Sequence, residues 1–487
     1  MAQCIEELRA KAEVYQKTGI VSVLDATSCV LKSDTAILSE LKGELRRAVA
    51  KLESVPDHQK DWHPGSDGKV LDLVHPSLFP FIYDRSRILP TSTISLKDCL
   101  TSIGKGETAP IPPPASPGSY DTKVWSTRFQ WLPCDVKLTN GNDAKIHSYV
   151  NNLHPVDHKP LYSILEKFIS KAVPFWNIVY QCHYSGDLRT AQRNGCDAVE
   201  YELPTDVQEY PPDDFDGNED EFYENVENAR IYALPEPEPF SGLDITAEHI
   251  GNKCTFIGDG EQKIQVIVKL ANIHLTPEKP EYAGGAWHIE GQLNEHIVST
   301  VIYYYDNENV TDSHLAFRTK VDAESFNTEL AYEQSDWKGI NKIFGVRNDE
   351  SNIQELGSVL TREDRLIAFP NGFQHRVGSF KLQDSTKPGH RKILALFLVA
   401  PSLPIISTAN VPPQQRDWWL REFKTGGSKV SDLPTELIDM IGDGVDDFPI
   451  GLEEAKRIRE ELMAERGMMD QAVENVMAEW AFNFCEH

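Results

Sequence analysis

From residue 253 to residue 404 the chain is cut into short β-branched and aromatic runs: KCTFIG, KIQVIVKLANIHL, HIVSTVIYYYD, SHLAFRTKV, GSVLTREDRLIAFP, HRVGSFKL and RKILALFLVAP. Gly, Pro, Asn and Asp separate them. Residues of the first kind suit a pleated, half-buried surface, and turn residues at this spacing fold successive strands back on one another. The pattern predicts a sandwich or barrel, with a jelly roll as the natural candidate.

Around this block the texture is helical. CIEELRAKAEVYQK and DTAILSELKGELRRAVAKLESV carry apolar residues at three-to-four spacing, the second starting after a Ser33 or Asp34 cap. GKGETAPIPPPASPGSYD is a loop, because Pro and Gly rule out regular structure. HKPLYSILEKFISKAVPFWNIVYQCH reads as one or two amphipathic helices, and PPQQRDWWLREF, LPTELIDMIGDG and the long segment from Gly451 read as helical. The acidic stretch PPDDFDGNEDEFYENV lacks calcium-loop spacing and reads as a solvated loop. The expected class is α+β, a jelly-roll core with helical N- and C-terminal elaborations. Its divisions are a helical and loop-rich N-terminal region (1–120), a helical platform with the acidic loop (121–252), the jelly-roll core (253–404), and C-terminal helices packed on it (405–487).

A formal charge of -27 argues against nucleic-acid binding and against anionic membranes, since both need clustered Lys and Arg to neutralise phosphate. The amino terminus has no apolar segment of the kind a secretory signal requires, and no run reaches membrane-spanning length. Eight cysteines without CxxC pairs read as reduced thiols. A cytoplasmic protein is the expectation, and the sequence leaves room for a homodimer.

The chemistry concentrates in GGAWHIEGQLNEH. On a strand, residues two apart point the same way, so His288 and Glu290 can share a face while Ile289 takes the other. Of the 15 histidines only His288 has an acid two positions later. Chance alone would give about two such pairs, so the context must carry the reading. That context is RLIAFPNGFQHRVGSF, where a strand enters a Pro370-Asn371-Gly372 turn and re-emerges with His375. Two imidazoles and one carboxylate form the facial donor set of a non-haem ferrous centre, which leaves positions open for substrate-derived ligands and dioxygen.

A dicarboxylate co-substrate in so acidic a protein needs a local cation, best an arginine whose planar fork pairs with a carboxylate. Between Arg376 and Lys392 there are five Lys or Arg against the single acid Asp384. Arg391 opens an apolar strand on which it shares a face with Ile393, Ala395 and Phe397. Arg391 is the expected anchor and Lys392 the alternative. In IYYYD, Tyr303 and Tyr305 share one face and Tyr304 the other, and Tyr303 is taken to complete the clamp. The insertion DWKGINKIFGVRNDES is expected to cover the mouth of the core. There Trp337, Ile343, Phe344 and Val346 would line an apolar pocket, and Arg347 or Arg318 would receive a substrate carboxylate.

HIE followed by a strand, then FPNGFQHRV, then HRKILALFLVAP, resembles the ferrous, 2-oxoglutarate-dependent oxygenase superfamily with its double-stranded β-helix. FQWLPCDV, YVNNLHP and WHIEGQLNEHIVSTVIYYYDNENVT are similar to a fungal family catalogued as of unknown function, one relative of which closes an aziridine ring on valine. The resemblance implies Fe(II) at His288, Glu290 and His375, 2-oxoglutarate at Arg391, and dioxygen as oxidant. It also implies a small-molecule substrate such as an amino acid, hydroxylated or cyclised in secondary metabolism. Two other readings stand beside it. PNGFQH also fits part of a cupin motif, so a metal-dependent oxygenase without 2-oxoglutarate is one. The other is a non-catalytic jelly-roll binding scaffold.

Overall fold

The computed structural model describes residues 2–24, 29–112, 125–139, 142–185, 196–236, 239–251, 263–321, 328–333, 336–425, 433–444, 447–479 and 481–484. Numbering only the strands of the two main sheets, β1 is Val21–Val23, β2 Val30–Ser33, β3 Asp61–Trp62, β4 Val70–Val74, β5 Cys134–Thr139 and β6 Asp143–Ile146. They are followed by β7 Lys263–Leu275, β8 Ile297–Glu308, β9 Ser313–Lys320, β10 Ile353–Thr361, β11 Leu366–Pro370, β12 Gln374–Val377 and β13 Gly389–Val399. The longer helices are α1 Ala2–Thr18, α2 Ser39–Glu53, α3 Lys159–Tyr180, α4 Glu219–Ala229, α5 Trp337–Phe344, α6 Arg416–Thr425, α7 Thr435–Asp443 and α8 Leu452–Glu479. The molecule is α+β, with helices around a large antiparallel sheet.

Ten strands form that sheet in the order β1-β2-β11-β8-β13-β7-β4-β3, with β5 on β7 and β6 on β5. A second sheet runs β10-β9-β12. β13 lies at the centre of the first, antiparallel to both β7 and β8. Its whole length from Ala395 to Val399 is buried, which is why its sequence is a continuous apolar run rather than an alternation. Leu394, Leu396 and Leu398 join Val266, Val268, Leu270, Val301 and Tyr303 under the buried face of α3. Ala395, Phe397 and Val399 turn the other way, joining Ile267, Ile302, Tyr304 and Phe369. Leu315, Phe317 and Val359 of the second sheet close that cluster, so it fills the space between the two sheets.

Three expectations are corrected. The helix after Ser33 starts later, at Ser39, because the Ser33 hydroxyl is taken by a turn: it accepts from the Thr35 and Ala36 amides at 3.2 and 3.0 Å. The acidic stretch is partly helical. Asn218 caps α4 by accepting from the Asp220 amide at 3.1 Å, and Glu219, Asp220 and Glu221 sit where the helix dipole favours negative charge. The amino-terminal third is not only helix and loop: β2 pairs with β11 and β4 with β7, extending the sheet on both sides. KCTFIG and most of the Pro-rich loop lie outside the described residues. Among the described residues no helix is long and apolar enough to cross a membrane.

Candidate metal centre

His288 and Glu290 lie in the segment before β8, and His375 lies on β12. An isolated bridge joins them: the His288 amide donates to the His375 carbonyl at 3.2 Å, and the His375 amide to the His288 carbonyl at 2.9 Å. The approach depends on Gly284, whose φ is +95° and where an added Cβ would stand 2.8 Å from the Val377 carbonyl oxygen. His375 packs against Phe369 with ring centroids 4.7 Å apart, and its cross-strand partner is Phe317.

The side chains converge. Glu290 Oε1 lies 3.5 Å from His375 Nε2 and 3.9 Å from His288 Nε2, and one ligand atom from each of the three residues falls within 4.8 Å of the others. The other nitrogen of His288, Nδ1, is 2.9 Å from the Ala286 carbonyl, which leaves Nε2 for the centre. Burial would raise the Glu290 carboxyl, but the contact with His375 and the charges of His288 and Lys269 draw it down to about 2. Burial and the neighbouring His375 ring hold His288 below the ordinary histidine range. Glu290 is therefore held ionised and His288 neutral, the forms a metal requires of these two donors.

Arg391 is 1 % exposed, with Nε and Nη1 unpartnered among the described residues. Its guanidinium carbon lies 4.2 Å from the centroid of Phe380 and 6.0 Å from that of Tyr304. It stands on the same face of β13 as Ala395 and Phe397, hence on the side of the inter-sheet cluster. Lys392 points oppositely and is engaged by Glu53 at 3.0 Å and Asp306 at 3.5 Å. One carboxylate and two converging imidazoles fit a ferrous ion, and a buried guanidinium with open donors on the inter-sheet face fits a dicarboxylate such as 2-oxoglutarate.

The remaining candidates fall elsewhere. Tyr303 lies on the α3 side of the sheet, against Phe168 at 5.4 Å, with its hydroxyl donating to Asp364 at 3.2 Å. Tyr304 is the phenol on the Arg391 side, so the expectation for Tyr303 is corrected by strand parity. The insertion folds as α5, capped by Asp336 and ended by Gly345 at φ +71°. Ile343, Phe344 and Val346 pack in a separate cluster around Val199, Ile340, Phe482 and Phe484 rather than lining the centre. Arg347 is exposed and pairs with Glu350 at 3.4 Å; with Trp337 it borders a surface cavity of about 670 Å³. Arg318 is engaged by Gln374 at 2.7 Å and by Glu474, and lies 4.5 Å over Trp287.

Several contributors are absent from the sequence reading. The Asn371 side chain accepts from the Glu290 amide at 2.9 Å and donates to the Glu290 and Ile297 carbonyls at 2.8 and 3.1 Å, fixing the ligand segment. Glu295, fully buried, accepts from the amides of Trp131 and Gln292 at 2.5 and 2.7 Å and from Arg466 at 2.5 Å. A second group of three donors, His63, Asp72 and His75, holds a 2.8 Å contact from His63 Nδ1 to Asp72. The Asn371 turn was visible as a turn, but nothing in the sequence told where its amide would point.

The architecture and donor set define a protein with a histidine-glutamate-histidine candidate metal centre at the edge of a two-sheet core. The family model described as "Protein of unknown function (DUF4246)" matches residues 1–422, and the chain belongs to that family. No curated protein matches the sequence. Among solved structures, IDO from Bacillus thuringiensis is 9% identical, with 31% of this chain and 56% of that one covered at a TM-score of 0.20. The Fe(II)/(alpha)ketoglutarate-dependent dioxygenase TqaL is 14% identical, with 35% and 57% covered at 0.19. EvdO2 from Micromonospora carbonacea var. aurantiaca, complexed with 2-oxoglutarate, is 10% identical, with 28% and 52% covered at 0.14. The matched part is thus little more than half of each of these proteins, and the low TM-scores carry no argument.

Proposed function

We propose that this protein is a non-haem Fe(II)/2-oxoglutarate-dependent oxygenase with a double-stranded β-helix core, acting on a small molecule such as an amino acid. The observation that carries the reading is Arg391: a deeply buried cation with two unpartnered nitrogens, on the inner face of the strand that crosses the core. Asp312 acts on it through space without a hydrogen bond, and a fold does not bury a charge with open donors without cost, so the arginine calls for an anionic ligand.

In this reading His288, Glu290 and His375 hold the metal, and Arg391 grips the distal carboxylate of 2-oxoglutarate through charge-assisted hydrogen bonds. The bound metal would supply the activation of dioxygen, with 2-oxoglutarate giving up electrons as it is decarboxylated to succinate. The chain's own residues do the positioning. Asn371 fixes the Glu290 backbone. Phe317 and Phe369 brace His375 and exclude water from its side of the centre. Where the substrate is held decides between hydroxylation and ring closure.

The test is anaerobic reconstitution with Fe(II) and 2-oxoglutarate, then exposure to air with candidate substrates. Substrate-stimulated succinate, one per substrate oxidised, supports the reading. Oxidation without succinate favours the cupin-like oxygenase, and failure to bind iron favours the non-catalytic scaffold.

A further inference from the structure

α8 crosses the ligand segment and is fastened on both sides of Asp470. On one side Arg466 donates to Glu295 at 2.5 Å and lies 3.8 Å over Trp131, while Glu465 accepts from Gln292 at 3.1 Å. On the other side Glu474 accepts from Arg318, which lies over Trp287, the residue before His288. Ile458 and Leu462 are buried in the inter-sheet cluster, and Arg459 forks onto Asp61 at 2.6 and 2.9 Å. Positions 459, 462, 466, 470 and 474 recur at helical spacing, so all lie on the face turned to the core.

Asp470 lies on that face between the anchors at Arg466 and Glu474, which grip the residues on either side of His288 and Glu290, and the charges of His288, Arg466 and Glu290 act on its half-buried carboxylate. Among the described residues it has no hydrogen bond or ion pair. Arg466 is committed to Glu295, and His288 Nδ1 to the Ala286 carbonyl. In the oxygenase reading Fe(II) and Arg391 balance Glu290 and the 2-oxoglutarate dianion, so an ionised Asp470 leaves the centre with one uncompensated negative charge. A cationic group on the third component relieves that imbalance.

We infer that Asp470 is a specificity-determining residue that accepts N–H hydrogen bonds from the ammonium of an amine-bearing substrate. The inference rests on the oxygenase reading and deepens it. α8 lies beyond residues 1–422, the part matched by the family model, so members of the family need not share this acid or this substrate class.

The experiment starts from the full chain loaded with Fe(II) and 2-oxoglutarate. Slow succinate formation without substrate, together with the visible charge-transfer band of the loaded centre, reports on the oxygenase reading by itself. If the wild type shows neither, that reading and this inference fall together. With either present, amino acids are compared with their desamino and 2-hydroxy counterparts as stimulators of succinate formation. Only amine-bearing compounds should stimulate. For the best of them D470N should raise KM by about tenfold or more, as expected for losing a charge-assisted bond, with kcat changed by less than about threefold. D470E should recover part of the loss, and unchanged melting temperatures and iron content should accompany both variants. An amine-free acid that stimulates equally well, a panel in which no amine stimulates, or a D470N KM within about threefold of wild type would overturn the assignment.

Discussion

Replacing Arg391 with methionine should make the empty protein more stable and the protein unable to respond to 2-oxoglutarate. The guanidinium is 1 % exposed and lacks partners at Nε and Nη1 among the described residues, and apolar replacement of buried charges has gained about 1–4 kcal/mol. The stack on Phe380 at 4.2 Å returns about 1 kcal/mol to the arginine. The net gain of Arg391→Met is then about 1–3 kcal/mol. A melting entropy of about 2.1 cal/mol/K per residue gives about 1 kcal/mol/K for 487 residues, so the melting temperature should rise by about 1–3 °C. Ligand reverses the order. At about a hundred times its Kd, 2-oxoglutarate adds about 2.7 kcal/mol to the wild type, again about 3 °C, and adds nothing to the variant. Thermal melting with Ni(II) as a redox-inert metal, with and without 2-oxoglutarate, measures both. An Arg391→Met protein that melts below wild type when empty, or that gains the same increment from 2-oxoglutarate, would refute the argument.

Three other outcomes follow from particular contacts. Asn371→Ala should weaken iron binding by about 10–100-fold without unfolding the chain, read by competition with a chelator, because it frees the Glu290 backbone. His75 is pushed down to about 3 by burial, against an ordinary 6.5, so it is neutral in the fold and charged in the unfolded chain. Its contribution is complete above pH 6.5 and is lost as the pH falls towards 3. Urea midpoints should fall across that window, and less steeply in His75→Gln. Arg459→Ala should cost about 3–5 kcal/mol by leaving Asp61 without its cation, whereas the double replacement of Arg459 and Asp61 by apolar residues should cost less, both measured by denaturant unfolding.

Part of the centre was legible because strands impose a period of two. That period grouped Arg391 with Ala395 and Phe397. The HIE spacing and the PNG turn named three residues that do converge, but not by strand alternation: His288 and Glu290 lie on an irregular segment joined to β12 by one bridge at His288. Nor did the period choose among three consecutive tyrosines. β8 is buried on both faces and its register shifts between Tyr304 and Asp306, so no polar alternation marks which ring faces inward. The insertion 336–351 carried readable helix signals, an aspartate cap and a closing glycine, yet its partners are Val199, Leu330 and Phe482. Contacts so distant in sequence leave no local trace. The same holds for Asp470: α8 reads as a helix, but only packing reveals which of its residues lie between the anchors at Arg466 and Glu474.

The anchor and the cover belong to parts of the chain with unequal freedom to change. Arg391 begins a strand hydrogen-bonded on both edges and packed on both sides, where a shift of one residue would turn every side chain to the wrong face. α8 is joined to the core through side chains from a single helical face, and its opposite face meets solvent. In the proposed oxygenase, mutation on α8 would retune what enters from above while the grip of Arg391 below stays as it is, so substrate choice and co-substrate binding would be free to change separately.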